Sequence, residues 1–199
     1  HVDFVDVRGD FTGLEGLTTL PRLHVTGQVS SFTGLDNLTA VEDRVSFGNV
    51  SAATDFTGLG SLATIGGDFE FSSGTSIESF AGLDSLESID GNLRLFRTTG
   101  LEDLEGLEAL REVGGLVLDE NAGLVSVNGL QGLDIIDASL EILRNPSIVD
   151  LSGLHTVETI GDDLLIFENI SLPTAEAEAL RDAIGVDNIS GSIRIDSNL

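Results

Sequence analysis

The chain of 199 residues contains no cysteine, lysine, tryptophan, tyrosine or methionine. Without cysteine there is no disulfide framework, so disulfides give no evidence about the compartment. Every aromatic residue is phenylalanine, so the core must be built from Phe, Leu, Ile, Val and Ala, which suits regular layers better than an irregular globule. No apolar stretch is long enough to span a membrane, which predicts no direct membrane insertion. Because the chain starts at His1 and not at Met, we expect a processed or excised product.

Charge of one sign is also nearly missing, since nine arginines face 34 acidic residues and the net charge is −25. Self-repulsion at this charge destabilises the compact state unless salt screens it. An acidic composition without lysine resembles proteins of halophilic archaea and salt-dwelling bacteria; an acidic protein from an ordinary source is the alternative. Nucleic acids and anionic membranes are poor partners, because phosphate binding needs cationic patches. Loosely bound cations and basic proteins remain compatible with the charge.

What the chain does contain is a repeat of about 24 residues. The seven units begin at Phe11, Phe32, Phe56, Phe80, Leu104, Val127 and Leu151. In each unit, apolar residues recur at a spacing of three, as at Leu83, Leu86 and Ile89. An alternating apolar pair follows, such as Leu93 and Leu95, and this alternation is typical of a strand with one buried face. No single unit can bury its own apolar face, so the units must stack.

The repeat predicts a mainly all-β fold, a right-handed parallel β-solenoid of about eight coils with one short C-terminal capping helix. We expect one domain over residues 1–199, with an N-terminal strand in 1–10, seven repeats in 11–172, and the helix and a last strand in 173–199. The stretch with spacing three is expected to form a bend, a turn or a short second strand. Positive φ angles are expected at the corner before each main strand, at Gly66, Gly91, Gly114 and Gly161.

The two ends of the chain depart from the repeat. Thr174 is expected to cap a helix that ends at Gly185 and turns Ala179, Leu180, Ala183 and Ile184 inward. At the other end, the residues Val2, Phe4, Val5 and Val7 are predicted to form an added strand, with Val5 and Val7 at the positions of the alternating pair. No N-terminal cap is visible, so this strand is a candidate assembly strand that could pair with another chain.

A polar column follows the pair in the later repeats, at Asn121, Asn145, Asn169 and Asn198. Stacked asparagines can bond backbone groups and one another, so we expect a buried Asn ladder. Four N-x-Ser/Thr sequons occur. The ladder would make the sequon at Asn169 silent and leaves Asn37, Asn49 and Asn188 as candidate glycosylation sites.

Two further columns are predicted beside the main strands. A charge ladder of alternating sign is formed by Arg97, Glu120, Arg144 and Glu168, one repeat apart, and Arg94 is expected to face Glu70. A candidate contact surface of outward apolar residues is formed by Phe96, Val117, Leu143, Leu165 and Phe167. Ion pairs of this kind need no ligand, and a long loop could cover the apolar residues.

The repeat resembles a known family through segments such as 89–95 (IDGNLRL) and 160–166 (IGDDLLI). It is similar to the receptor L domain, the leucine-rich β-helix of insulin-receptor and EGF-receptor ectodomains, and to exported prokaryotic proteins with the same repeat. The resemblance covers nearly the whole chain and implies a β-helix that binds ligands on its sheet and loops. The absence of cysteine separates this chain from the receptors, and no ligand-binding residue carries over.

Chemistry for catalysis is not visible in the sequence. The histidines at positions 1, 24 and 155 are not expected to meet, and no calcium-loop or phosphate-loop pattern occurs, so we predict no enzyme activity and no cofactor. The first hypothesis is an extracellular, cell-surface module for adhesion, surface architecture or ligand recognition, with a protein or glycan partner. A structural subunit of a homopolymeric filament, sheath or virion spike is the second, and a carbohydrate-active β-helix enzyme is the third.

Overall fold

The computed structural model describes residues 3–72 and 76–199 and contains fourteen strands in that part of the chain. They are β1 (Asp3–Gly9), β2 (Thr19–Leu20), β3 (Leu23–Val29), β4 (Ala40–Val41), β5 (Val45–Val50), β6 (Thr64–Ile65), β7 (Phe69–Ser72), β8 (Ser88–Phe96), β9 (Glu112–Asp119), β10 (Ile135–Ile136), β11 (Leu140–Leu143), β12 (Thr159–Ile160), β13 (Leu164–Phe167) and β14 (Ile193–Asp196). One α-helix, α1 (Thr174–Ile184), and short 3₁₀ helices at Ser152–Leu154 and Val186–Asn188 complete the fold.

The main sheet confirms the predicted parallel β-solenoid. Its strands lie in the order β1-β3-β5-β7-β8-β9-β11-β13-β14, and every pair is parallel. The apolar pairs are in register from coil to coil, so that Leu93 lies opposite Phe69 on one side and Leu116 on the other. The seven repeats form the coils, and β1 and β14 add one strand at each end.

In five of the seven repeats the stretch with spacing three ends in a separate two-residue strand, and in the other two this strand runs on into the main strand as part of β8 or β9. The second repeat shows the two consecutive turns that precede the strand. The Leu35 N–H donates to the Phe32 carbonyl at 3.0 Å, and the Leu38 N–H donates to the Leu35 carbonyl at 2.9 Å. Each turn joins the N–H of one residue to the carbonyl three residues earlier, which explains the spacing and directs Leu35 and Leu38 into the core. The strand that follows, β4 in this coil, pairs with its counterparts in the coils before and after to make a second parallel ladder.

The prediction of positive φ at Gly66, Gly91, Gly114 and Gly161 is wrong. The positive φ angles fall instead in the Gly-Leu turn, for example 108° at Gly58. The corner glycines are needed for a different reason, since a Cβ on Gly66 would overlap the backbone carbonyl of Glu42 in the preceding coil, and one on Gly161 would overlap that of Asp137. Close approach of neighbouring coils, and not backbone handedness, selects glycine at these corners.

At the N-terminal end, β1 pairs with β3, but not in the predicted register. Phe4 lies opposite Val25, and Val7 lies opposite Gly27 after an irregularity. The prediction that Val5 and Val7 occupy the pair positions is therefore wrong, because the irregularity shifts the alternation between the two residues. Val2 lies outside the described residues.

At the C-terminal end, α1 closes the core as predicted, but its details differ. Pro173 is the N-cap, and Thr174 is the first helical residue, whose N–H and hydroxyl both donate to the Leu199 carbonyl. The buried helix residues are Ala177, Leu180 and Ile184, whereas Ala179 and Ala183 are exposed. Gly185 ends the helix as expected, with φ 84°.

Phenylalanines fill the core of the first coils. The rings of Phe11, Phe32, Phe56 and Phe80 stack one per coil, with successive centroids 5.9, 5.5 and 5.4 Å apart. Phe47, Phe69 and Phe71 pack tilted or edge-on against this stack. Aliphatic residues replace the stack in the later coils, so the core changes character along the solenoid.

Substitution of Gly58 by alanine tests the close approach in the Gly-Leu turn. A Cβ there would overlap the Phe32 carbonyl and would also hold an L-residue at φ 108°, so we expect a loss of about 3–5 kcal/mol in the free energy of unfolding. Gly60→Ala is the matched control, because nothing lies within 4 Å of its Cβ position and its φ is not positive. Urea unfolding in molar salt measures both, and equal losses would contradict the explanation.

Candidate functional site

The outer face of the main sheet has a different charge from the rest of the protein. We define the sheet face as eight segments of five or six residues, one per coil from the second strand of the sheet onward: 22–27, 44–49, 68–72, 92–97, 115–120, 139–144, 163–168 and 192–197. These segments hold six of the nine arginines but only eight of the 34 acidic residues. The remaining sequence therefore holds three arginines and 26 acidic residues. The sheet face is close to neutral on a strongly negative protein.

The N-terminal half of the sheet face is concave. Small outward residues, Ser46 and Gly48 on β5 and Ser72 on β7, line a groove of about 360 Å³ together with the larger side chains of Arg22 and Arg44. His24 also lines the groove, and its Nδ1 is hydrogen-bonded to the Ser46 hydroxyl at 2.7 Å. The sequence did carry a signal for this groove, namely small residues at outward strand positions, but the sequence analysis did not use it.

Arg44 anchors one wall of the groove through two ion pairs. Its guanidinium contacts Asp68 at 3.2 Å and Glu70 at 3.1 Å. Burial raises the pKa of Asp68, but hydrogen bonds from Asn92 and Arg44 outweigh burial, so the pKa lies below its ordinary value. Asp68 is therefore a permanent anion at neutral pH and holds the wall in place.

A second groove of about 310 Å³ continues along the sheet face and shares Glu70 and Ser72 with the first. Arg94, Phe96 and Val117 line its other side. Arg94 is the register neighbour of Glu70, as expected, but no ion pair joins them within the described residues, since Glu70 contacts Arg44 instead. The two grooves together extend over five neighbouring coils, from Arg22 in the first to Val117 in the fifth.

The five apolar residues of the candidate contact surface lie together on the sheet face. Val117 and Leu165 are one column and lie on either side of Glu141, whereas Phe96, Leu143 and Phe167 belong to the next column, which also contains Asp119. They are less exposed than a bare patch would be. Leu143 is buried, with 8% of its surface exposed, and the other four are half-buried.

Arginines cover part of this apolar surface. The Arg97 guanidinium lies 4.5 Å from the centroid of the Phe96 ring, and the Arg194 guanidinium lies 4.0 Å from that of Phe167. Contacts of this type are favourable when the cation lies over the ring face. Two of the three phenylalanine and leucine side chains in the second column, Phe96 and Phe167, are therefore partly covered by cations.

The charge-ladder residues share an unusual backbone conformation. Arg97, Glu120, Arg144 and Glu168 all have φ between 54° and 60°, in the left-handed region. The Arg97 Nε donates to Glu120 at 2.7 Å, and the Arg144 Nε lies 3.5 Å from Glu120. The hydrogen bond from Arg97 lowers the pKa of Glu120.

Glu168, the fourth member of the charge ladder, is not joined to its neighbour Arg144. Arg144 also contacts Asp119 at 2.6 Å, and within the described residues no ion pair joins Arg144 to Glu168. The ion pairs therefore link Arg97, Glu120 and Arg144, three of the four predicted members, along one edge of the sheet face.

The asparagines lie directly after these left-handed residues and are bonded from coil to coil. The Asn145 Oδ1 accepts from the Asn121 N–H at 2.9 Å, and the Asn145 Nδ2 donates to the Leu118 carbonyl at 2.9 Å. Asn169 and Asn198 repeat the same two bonds one coil further along. Asn121, Asn145 and Asn169 are fully buried, so these bonds satisfy backbone groups that the left-handed turn removes from the sheet.

The sequons differ in accessibility. The Nδ2 of Asn169 is buried and donates to the Ile142 carbonyl at 2.8 Å, which leaves it unavailable to a glycan. Asn37, Asn49 and Asn188 are exposed. The Nδ2 of Asn37 donates to the Glu15 carbonyl and that of Asn188 to the Ile184 carbonyl, each at 2.8 Å, so modification there would replace one surface hydrogen bond.

Among the described residues, the histidines, which are the remaining candidates for catalysis or metal binding, do not form a cluster. His155 lies in a turn of the last coil, away from His24, and His1 lies outside the described residues. Across residues 3–72 and 76–199, no group of three or more His, Cys, Asp or Glu side chains is arranged to hold a metal ion. Within the same residues, no helix is both long and apolar enough to cross a membrane.

Comparison of the sequence with models of known protein families gives no match, and comparison with curated proteins gives none either. The solenoid architecture is consistent with the β-helix to which the repeat is similar.

Substitution of Asn145 by alanine tests the asparagine ladder. It would leave the buried Asn121 N–H and the Leu118 carbonyl without their partners, so we expect a loss of about 2–5 kcal/mol in the free energy of unfolding. Asn128→Ala is the control, because the one hydrogen bond of this half-buried side chain to the described residues is 3.4 Å long, and we expect a change within about 0.5 kcal/mol. A small loss for Asn145→Ala in urea unfolding would show that the ladder is not needed.

Proposed function

We propose that the chain is a non-enzymatic, extracellular module of a high-salt environment that recognises a ligand or partner on its sheet face. The observation that carries the proposal is the concentration of six arginines on one face of a protein with a net charge of −25. Outside the sheet face an approaching partner meets mainly negative charge, and that surface favours solubility over contact. A partner that binds the sheet face meets less electrostatic repulsion than a partner that binds elsewhere on the protein.

The shape of the sheet face supports the same proposal. Grooves of about 360 and 310 Å³ lie end to end and adjoin a packed surface of apolar and cation-covered aromatic residues. Binding sites of proteins are commonly concave, with apolar walls and a few polar groups that orient the ligand. The strands that present these side chains are held rigid by hydrogen bonds on both sides, so the face is preorganised.

Location and salt are parts of the proposal. The excess of acidic residues and the absence of lysine favour a protein that works in concentrated salt, where screening at a Debye length of about 3 Å removes most self-repulsion. The exposed sequons at Asn37, Asn49 and Asn188 favour the cell exterior. A protein or glycan is the proposed class of partner, and recognition needs no cofactor.

Paired substitutions on two faces test the function. Val117→Glu with Leu165→Glu adds charge to the sheet face, and Val125→Glu with Val149→Glu adds the same charge to exposed residues of another corner. We expect an array of immobilised glycans and polypeptides, probed in molar sodium chloride, to bind the wild type and the corner variant but not the sheet-face variant. Equal binding of both variants would contradict the assignment, provided that circular dichroism shows both to be folded.

A homopolymer subunit is the second candidate, and one observation favours it. In the first coil Leu14 and Leu17 are half-exposed, whereas their counterparts Leu35 and Leu38 in the next coil are buried. β1 and β14 each have one strand neighbour in the main sheet of the described chain, so a second copy could extend the sheet at either end. The acidic charge of the protein opposes such contacts at low salt.

Light scattering after size exclusion in molar salt separates the two candidates. A recognition module predicts a monomer of 20.9 kDa, the mass of this chain. Large or open-ended species would favour the polymer, and Leu17→Glu, which charges the half-exposed N-terminal coil, should then dissolve them. Glu substitution at Val125, which is exposed far from the first coil, is the matched control.

A further inference from the structure

The side chain of Arg94 has no hydrogen bond and no ion pair with any residue that the structure describes. It stands on β8 at the centre of the sheet face and is exposed. The arginines around it are engaged: Arg44 contacts Asp68 and Glu70, Arg97 contacts Glu120, and Arg144 contacts Asp119. Among the described residues, Arg94 therefore differs from these neighbours in having no direct side-chain contact with a carboxylate.

The acidic residues near Arg94 are held by other groups. Glu70, its neighbour in the sheet register, is bonded to Arg44 at 3.1 Å. Asp68 accepts from Arg44 at 3.2 Å and from the Asn92 backbone at 2.8 Å. Asp119, which lines the same groove, contacts Arg144 at 2.6 Å. The guanidinium of Arg94 therefore keeps its charge and its five donors available for an external acceptor.

The groove beside Arg94 has an apolar wall. Phe96 and Val117 are half-buried and line the groove of about 310 Å³, with Ser72 opposite. The Arg97 guanidinium lies 4.5 Å from the centroid of the Phe96 ring and covers part of that ring. The apolar surface of the groove is supplied by Val117 and the rest of Phe96. A volume of this size holds a small ligand or the end group of a larger one.

We propose that Arg94 binds a carboxylate whose apolar body lies in the groove against Phe96 and Val117. A planar guanidinium pairs with a carboxylate through two parallel hydrogen bonds, and the half-buried surroundings strengthen such a pair relative to bulk water. A singly charged acid is favoured over a dianion, because Glu70 and Asp119 line the same groove and repel additional negative charge. The inference deepens the proposed recognition function and rests on it.

The experiment uses phenylacetate as the probe and phenylacetamide as its uncharged isostere. Titration of the ¹⁵N-labelled full chain in molar sodium chloride is followed by the Arg94 Nε–Hε resonance. We expect phenylacetate to shift this resonance in a saturable way and phenylacetamide to bind at least about tenfold more weakly, as expected for loss of a charge-assisted pair. Phenyl phosphate, which carries a second charge, should bind more weakly than phenylacetate.

Two variants complete the test. Arg94→Gln keeps length and polarity but removes the charge, and we expect at least about a tenfold loss of phenylacetate affinity, read from the ligand's own resonances. Arg111→Gln makes the same change outside the sheet face and should leave the affinity unchanged. Equal binding to wild type and Arg94→Gln, or equal binding of the acid and the amide, would overturn the proposal.

The two proposals fail in different ways. If the array signal is lost in the sheet-face variant but phenylacetate does not bind, the recognition function stands and the carboxylate assignment is wrong. If phenylacetate binds through Arg94 but sheet-face and corner variants bind the array equally, the groove is a site for a small acid and the wider face is not a contact surface.

Discussion

Parallel stacking of identical coils is the constraint on which the rest of this structure depends. No coil has a second apolar face of its own, so each buries its leucines and phenylalanines against the coil before it, in register. The coils approach so closely that a side chain at Gly34, Gly58 or Gly66 would overlap the neighbouring backbone. The turns, the glycines and the stacked phenylalanines are consequences of that approach.

The same stacking produces the sheet face. Alternation along each strand sends one residue of every two outward, and the parallel register aligns these residues in columns across the coils. Column neighbours then decide the local chemistry: small residues make a groove, Arg and Glu make ion pairs, and Phe96 and Phe167 become platforms for arginines. A near-neutral surface arises in this way on a protein that is otherwise uniformly acidic.

The two halves of the solenoid have different residues at the corner after the main strand. In the first coils the core under this corner is aromatic, and Val29 and Val50 close it. From Thr98 onward a buried polar ladder replaces them, and the Thr98 N–H and hydroxyl both donate to the Asn121 Oδ1. A ladder of this kind is fully satisfied only when each asparagine finds its counterpart one coil away, so it fixes the register as well as the corner.

The sequence by itself determined the repeat, the in-register apolar pairs, the asparagine column and the C-terminal helix, because each depends on a periodicity that is visible in one dimension. It misplaced the positive φ angles, the register of Val5 and Val7, and the inward face of α1, because these depend on how close one coil lies to the next. Only the tertiary structure decided that Leu143 is buried, that Glu70 pairs with Arg44 and that the Arg94 side chain has no hydrogen bond or ion pair with the described residues. Those outcomes follow from competition among side chains on adjacent strands, and a linear sequence carries no distances between them.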